Sequence, residues 1–336
     1  MTVVITGATG HVGANLVRAL VARGRPTRSL VHLDSRALDG LGTEFVEGDV
    51  CDPQSLHRAF AGAEVVYHLA ATISLSMNDW PRVEAVNVVG TRNVVEACLA
   101  CGVRRLVHFS SIHALEQEPM TTPVDESRPL VASRRCPPYD RSKAAGEHEV
   151  RRGIENGLDA VIINPTAIIG PNDFRFSYFG EALLSIARGR LPALVTGGFD
   201  WVDVRDVVAG AMRAEEIAPK GAKYLLSGHW VSMRDMAAMV AGITGVPPSR
   251  VVLPLWLAHL GAPIVKYFSY LNGQRPLYTS VSLRALHSNR HISHERAARE
   301  LGYQPRPFRE TLEDTLRWYE ANRASLPTGK REKKHR

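Results

Sequence analysis

Over roughly the first half of the chain, short apolar runs alternate with amphipathic stretches. TVVIT (2–6) reads as a strand, HVGANLVRALVARG (11–24) as a helix with an apolar stripe, and TRSLVHL (27–33) and TEFVEGD (43–49) as strands. DPQSLHRAFAG (52–62) follows as a helix, with Asp52 at its cap and Pro53 at its first position. EVVYHLA (64–70) is a strand, DWPRVEAVNVVGTRNVVEACLACG (79–102) a single helix, and RRLVHFSS (104–111) a strand. YDRSKAAGEHEVRRGIENG (139–157) is a helix and LDAVIINPT (158–166) a strand. Apolar strands separated by helices predict an α/β fold, a doubly wound parallel sheet covered on both faces.

After Pro165 the rhythm loosens into GPNDFRFSYFG and RGRLPALVTGGFDW before a further strand, AKYLLSG (222–228), and helical pieces. The expected organisation is a sheet domain over 1–165, rejoined by 199–228. A smaller, mostly C-terminal substrate lobe then comprises 166–198 and 229–328, and a disordered basic tail 329–336.

Composition narrows the class. The 336 residues are 45% hydrophobic and 22% charged, enough for a large core. The net charge of +7 is concentrated in the tail KREKKHR, which carries +4 and leaves +3 for the other 329 residues. No nucleic-acid partner is expected. MTVVITG lacks a secretion-leader pattern, which suggests a cytoplasmic protein. The run Leu255–Leu271 contains His259, Pro263 and Lys266 and is too short and interrupted for a transmembrane segment. Cys98 and Cys101 form a C-x-x-C inside a helical pattern with no partner pair, so helix packing is expected and no metal.

The candidate chemistry begins at TGATGHVG. Gly7, Gly10 and Gly13 lie between a buried strand and a helix, spaced G-x-x-G-x-x-G, the variant seen in short-chain dehydrogenase/reductases. Gly7 permits a tight exit from the strand, Gly10 lets backbone approach a pyrophosphate, and Gly13 lets the helix pack close. The helix N-terminus then faces the phosphates. The second strand ends at Val31 and His32 without the carboxylate an NAD site usually places there. Arg28, His32 and Arg36 offer positive charge, with Arg36 the favoured fork for a 2'-phosphate, although Asp34 stands close. NADP(H) is therefore favoured over NAD(H). Asp49 of GDV can accept from the adenine amino group, and HLAA (68–71) supplies small residues beside the cofactor, with His68 read as a packed strand residue.

YDRSK puts Tyr139 one turn before Lys143, following a strand that ends in Ser110 and Ser111. A free phenol has a pKa of about 10, so a tyrosine shuttling a proton near neutrality benefits from a nearby cation that lowers it. In this reading Lys143 approaches both the Tyr139 hydroxyl and the cofactor ribose, Ser111 holds the substrate oxygen, and Tyr139 protonates it as hydride reaches carbon.

Taken in order, TGATGHVG, GDV, HLAA, VNVVGTRNV, HFSS, YDRSK, NPTAIIGP, WVDVRDVV and ELGYQPRPFRETLEDTLRWY resemble the landmarks of the extended short-chain dehydrogenase/reductases, the NAD-dependent epimerase/dehydratase family, over nearly the whole chain. Within it the sequence looks most like the dihydroflavonol 4-reductase-like branch, which shades into 3β-hydroxysteroid dehydrogenases and aldehyde reductases. The resemblance implies a Rossmann domain, a Ser111, Tyr139 and Lys143 trio, and Asn87 in a helix facing the site. Branch members commonly carry Arg where His32 stands.

The expected cofactor contacts are Gly7, Thr9, Gly10, His11, Val12, Gly13, His32, Arg36, Asp49, Val50, Leu69, Ala70, Ala71, Asn87, Tyr139, Lys143, Asn164 and Pro165. Thr72, Ser74, His113, Phe174, Phe179 and Trp201, with Asn164 and Tyr178 also considered, are expected to ring the substrate. Such an aromatic set suits an apolar or aromatic small molecule, while Arg175 and Arg205 keep a sugar nucleotide open. The leading expectation is an NADP(H)-dependent ketone or aldehyde reductase, with a possible homodimer. The alternatives are an NAD-dependent sugar-nucleotide epimerase/dehydratase and a non-catalytic NAD(P)-sensing protein.

Overall fold

A seven-stranded, all-parallel sheet forms the centre of the molecule. The computed structural model describes residues 2–32, 34–262 and 278–322. The basic tail and the later part of the 255–271 run lie outside these. The strands are β1 (Thr2–Thr6), β2 (Thr27–Val31), β3 (Thr43–Glu47), β4 (Ala63–His68), β5 (Arg105–Phe109), β6 (Ala160–Pro165) and β10 (Lys223–Leu226), in spatial order β10-β6-β5-β4-β1-β2-β3. The order reverses at β1, which pairs β2 on one side and β4 on the other. Ligands of such sheets sit outside the carboxyl ends of the strands at this reversal.

Alternate residues of each strand feed opposite layers. Val3, Ile5, Val107 and Ile163 pack under α1 (His11–Ala22) and α7 (Val204–Ile217). Val4, Val66, Leu106 and Ile162 pack under α2 (Pro53–Phe60), α4 (Gly90–Ala100) and α5 (Pro138–Glu155). Asp52 caps α2 by accepting from the Gln54 N–H, and Pro53 takes the first position. Cys98 is fully buried in this second layer.

Residues 79–102 differ from the single expected helix. A short α3 (Trp80–Glu84) leads into a π-helical turn, Ala85–Val89, before α4 begins. The turn is where α5 comes closest: a Cβ on Gly146 would lie 2.4 Å from the Asn87 carbonyl oxygen. Wide turns of this kind recur at functional sites.

The segment 199–228, expected to rejoin the sheet domain whole, divides instead. Strand β9 (Gly198–Asp203) joins β7 (Ala167–Ile169) and β11 (His229–Ser232) in a small mixed sheet, while α7 and β10 return to the large one. The small sheet, with α6 (Tyr178–Ala187), α8 (Met233–Thr244) and the helix Phe308–Ala321, encloses a separate apolar core.

Two helical glycines make opposite predictions. Gly146→Ala forces backbone apart and should lower unfolding free energy by roughly 1–3 kcal/mol. Gly242→Ala, on α8 where a Cβ meets nothing within 4 Å, should raise it by up to about 1 kcal/mol. Urea unfolding of both variants measures the pair.

Candidate active site

The crevice at the sheet reversal begins with the glycine turn. Gly7 has φ of +69°, and a Cβ there would sit 2.5 Å from the Ala70 nitrogen, so the turn rests directly on the 69–70 backbone that follows β4. On Gly13 a Cβ would lie 2.2 Å from the Gly7 oxygen, which α1 can approach only without a side chain. At Gly10, by contrast, a Cβ would meet only the Gly7 oxygen within 4 Å, at 3.2 Å, among the described residues other than its chain neighbours. One side of the turn is therefore tightly packed and the other is open, the shape required for backbone N–H groups to meet a diphosphate.

At the far end of β2, Arg36 is held by Asp34 through two hydrogen bonds of 3.0 and 2.8 Å. That pairing holds the Asp34 acid below its usual range. His32 lies 3.6 Å from Asp49, whose other oxygen accepts from the Cys51 N–H at 2.9 Å. Arg28 turns away to Glu44 and to the carbonyls of Ala59 and Ala61. Val50 is buried against Gly90 in the core under α2 and α4.

The second half of the crevice joins β5, β6 and α5. Ser111 follows β5, and its hydroxyl oxygen accepts the His113 N–H at 3.2 Å. The same hydroxyl stands close enough to the Tyr139 phenol to lower its pKa. Ser110 is buried, and its hydroxyl has no partner among the described residues. Beneath, Lys143 is 5% exposed and its ammonium donates to the Phe109 carbonyl at 2.6 Å. Helical spacing thus brings Tyr139 and Lys143 to one face, but the lysine descends to the strand end.

This arrangement corrects the expected electrostatics. Burial pushes the Tyr139 phenol up to about 12, opposed by the Ser111 hydroxyl and reinforced by Asp140. Burial also brings the Lys143 ammonium down to about 8, against the pull of Glu147 one turn further on. The reason is dielectric: both groups leave water, and desolvation disfavours whichever form is charged. Glu147 is itself fully buried, paired with Lys223 from β10, and accepts from Arg151 and Asn164. His68 bridges Thr6 and Thr91, and burial with the Lys143 charge lowers it to about 3, so it is a neutral packed residue.

Several expected contacts occupy other places. Asn87 receives the Thr72 N–H at 2.7 Å, donates to the Thr72 carbonyl at 2.9 Å and donates to Ser142 at 2.8 Å. Its amide fastens the loop after β4 to α5 and is not presented to the crevice. Asn164 is fully buried and donates to the Ser111 carbonyl at 2.9 Å, so it supports Ser111 from below. Phe174 lies outside the crevice, stacked edge-on with Trp318 and under Arg18. Trp201 and Phe179 pack with Phe199 in the core of the smaller lobe, where the Trp201 ring N–H donates to the Val231 carbonyl. For the three aromatic residues, a large apolar surface is better buried among other aromatics than left facing solvent.

Ser74 is buried and accepts the Ser76 N–H. His113 remains at the site: its ring centroid is 6.2 Å from that of Tyr139, and its Nδ1 is 3.8 Å from Asp140. His11 turns its Nε2 to the Pro171 carbonyl at 3.0 Å. Arg205 is bound to Asp203 and Asp314, and Arg175 donates to Thr9 in the glycine turn at 2.5 Å.

Sequence reasoning did not find Ser142, Thr91, Glu147 or Lys223. Glu147 had a signal in its four-residue spacing from Lys143. Lys223 had none, because only strand pairing brings β10 beside β6.

The model of the NAD dependent epimerase/dehydratase family matches residues 3–225. Sterol demethylase protein B of Methylococcus capsulatus is 38% identical over 325 residues, covering 95% of this chain and 98% of that one. A protein of Synechocystis sp. whose name refers to a dihydroflavonol 4-reductase is 32% identical over 322 residues, covering 94% of each. The crystal structure of gox2253 superposes with a TM-score of 0.84 at 34% identity, covering 97% of this chain and 99% of that one. Among the described residues no helix is long and apolar enough to cross a membrane. With a glycine turn at the sheet reversal and Tyr139 one turn before the buried Lys143, the chain belongs to the NAD-dependent epimerase/dehydratase family, for which an NAD(P) cofactor is expected.

Proposed function

We propose that the chain is an NADP(H)-dependent oxidoreductase that reduces a ketone or aldehyde of an apolar or aromatic small molecule. The observation that carries this reading is Tyr139, with the Ser111 hydroxyl beside its phenol, one helical turn before a buried Lys143 that donates to the end of β5. When bound, the cofactor supplies the hydride. The glycine turn, His32, Arg36, Asp49, the 69–71 backbone, Tyr139, Lys143 and Pro165 would hold it. Ser111 donates to the substrate oxygen, Tyr139 transfers its proton to that oxygen, and the Lys143 ammonium stabilises the phenolate left behind.

A phenol held up near 12 is a protonated acid throughout the neutral range, as reduction requires. The positive charge of the oxidised nicotinamide has the right sign to ease its ionisation. The apolar substrate no longer rests on Phe174 or Trp201. It is supported by Ile73 and Met77, exposed on the loop that Asn87 clamps at Thr72, and by the sterol in the name of the Methylococcus capsulatus relative. A sugar nucleotide needs cations for its diphosphate, and Arg205 is already bound by two carboxylates while Arg175 faces Thr9. This favours a reductase over an epimerase.

Tyr139→Phe should bind cofactor nearly normally and lose at least about a hundredfold in rate. Activity that survives would mean that the proton comes from elsewhere. NADPH oxidation with a panel of apolar carbonyl compounds measures it.

The pH dependence should follow Lys143. Its protonated form predominates below about 8 and is lost as pH rises through that value, so kcat/KM should fall there while Tyr139 stays protonated. A limb displaced to about 12 would assign the loss to the tyrosine instead.

Titration of both cofactors should give tighter binding of NADPH than of NADH, and the reverse order would refute the NADP(H) preference. Asp34→Asn, which removes the carboxylate charge facing the ribose end and paired with Arg36, should move the ratio about tenfold further towards NADPH.

A further inference from the structure

We propose that Arg175, carried by the smaller lobe, binds the diphosphate of the dinucleotide, so that the cofactor ties that lobe to the sheet domain. The inference rests on the dinucleotide reading given above and adds a residue to it from the other lobe.

The loop after β7 crosses the start of α1 and is fixed on both sides of Arg175. On the near side, the Pro171 carbonyl accepts Asn15 Nδ2 at 3.0 Å, and Asn172 donates to Asn15 Oδ1 at 3.0 Å. On the far side, the buried Asp173 carboxylate accepts the Ser177 N–H at 2.8 Å and the Tyr319 hydroxyl at 2.6 Å. Asn172 and Phe176 take φ of 64° and 54°, left-handed conformations that only a well-determined loop sustains. Arg175 therefore projects from an anchored backbone. Its Nη2 reaches Thr9, the residue between Gly7 and Gly10 in the turn.

Holding a threonine hydroxyl needs only a neutral donor. A guanidinium adds charge beside the free N–H groups of α1, where the helix dipole already favours an anion. Arg175 also lies close enough to the end of β2 to lower the Asp34 acid, after the larger effect of Arg36. It thus stands within reach of both the glycine turn and the end of β2. A fork of donors there suits two adjacent phosphates.

The test uses the full chain with Arg175→Gln and Arg175→Lys, and measures Kd for NADPH, for ADP-ribose and for adenosine, which lacks the diphosphate. Thermal unfolding of the cofactor-free proteins checks folding. Arg175→Gln should weaken NADPH and ADP-ribose about tenfold or more, the effect of losing a charged hydrogen bond, and leave adenosine within about twofold. Arg175→Lys should recover part of the loss, and gives the answer if the glutamine variant does not fold. Unchanged NADPH binding in a folded variant, or adenosine weakened in step with ADP-ribose, would overturn the proposal and leave a contact that only joins the lobes. A wild-type protein that binds none of NADPH, NADH and ADP-ribose would sink the dinucleotide reading itself.

Discussion

Burial of the Lys143 ammonium at the end of β5 is the constraint on which the site depends. A buried cation must be hydrogen-bonded and balanced. The Phe109 carbonyl receives it, and Glu147 supplies the nearby negative charge. Glu147 in turn requires partners of its own and finds them in Lys223, Arg151 and Asn164. Asn164 donates its remaining proton to the Ser111 carbonyl. The position of the serine hydroxyl is therefore set by the same network that makes a buried lysine tolerable.

The second element of the arrangement is close backbone approach. Glycines at 7, 13 and 146 stand where a Cβ would collide with backbone atoms. The first two press the turn onto the 69–70 backbone and α1 onto the turn. The third brings α5 onto the π-helical turn, from which Asn87 reaches both Thr72 and Ser142. Loop, turn and helix are consequently held as one unit around the crevice, with the polar groups of each satisfied by the others.

The lobes meet both by polar contacts and by the edge-on stack of Phe174 on Trp318. Their hydrophobic clusters are distinct, one under α1 and α7 and the other around α6, α8 and the helix Phe308–Ala321. The loop over α1 bridges them by way of Asn15, Thr9 and Tyr319.

Local pattern carried the architecture. Runs such as TVVIT and AVII, separated by amphipathic helices, specify parallel strands because an apolar run with no polar face must be covered on both sides. The glycine spacing and the Tyr-x-x-x-Lys turn were equally legible, since both act within one element. What lay beyond the sequence was every outcome decided between elements. The direction of the Tyr139 shift depends on how much water the fold removes. Whether Asn87, Trp201 and Phe174 face the crevice or pack elsewhere depends on which neighbours arrive. The pairing of Glu147 with Lys223, 76 positions apart, exists only because β10 docks beside β6. Sequence determines what a segment prefers by itself, and tertiary structure decides solvent exclusion and the partners of charged groups, which are properties of several segments together.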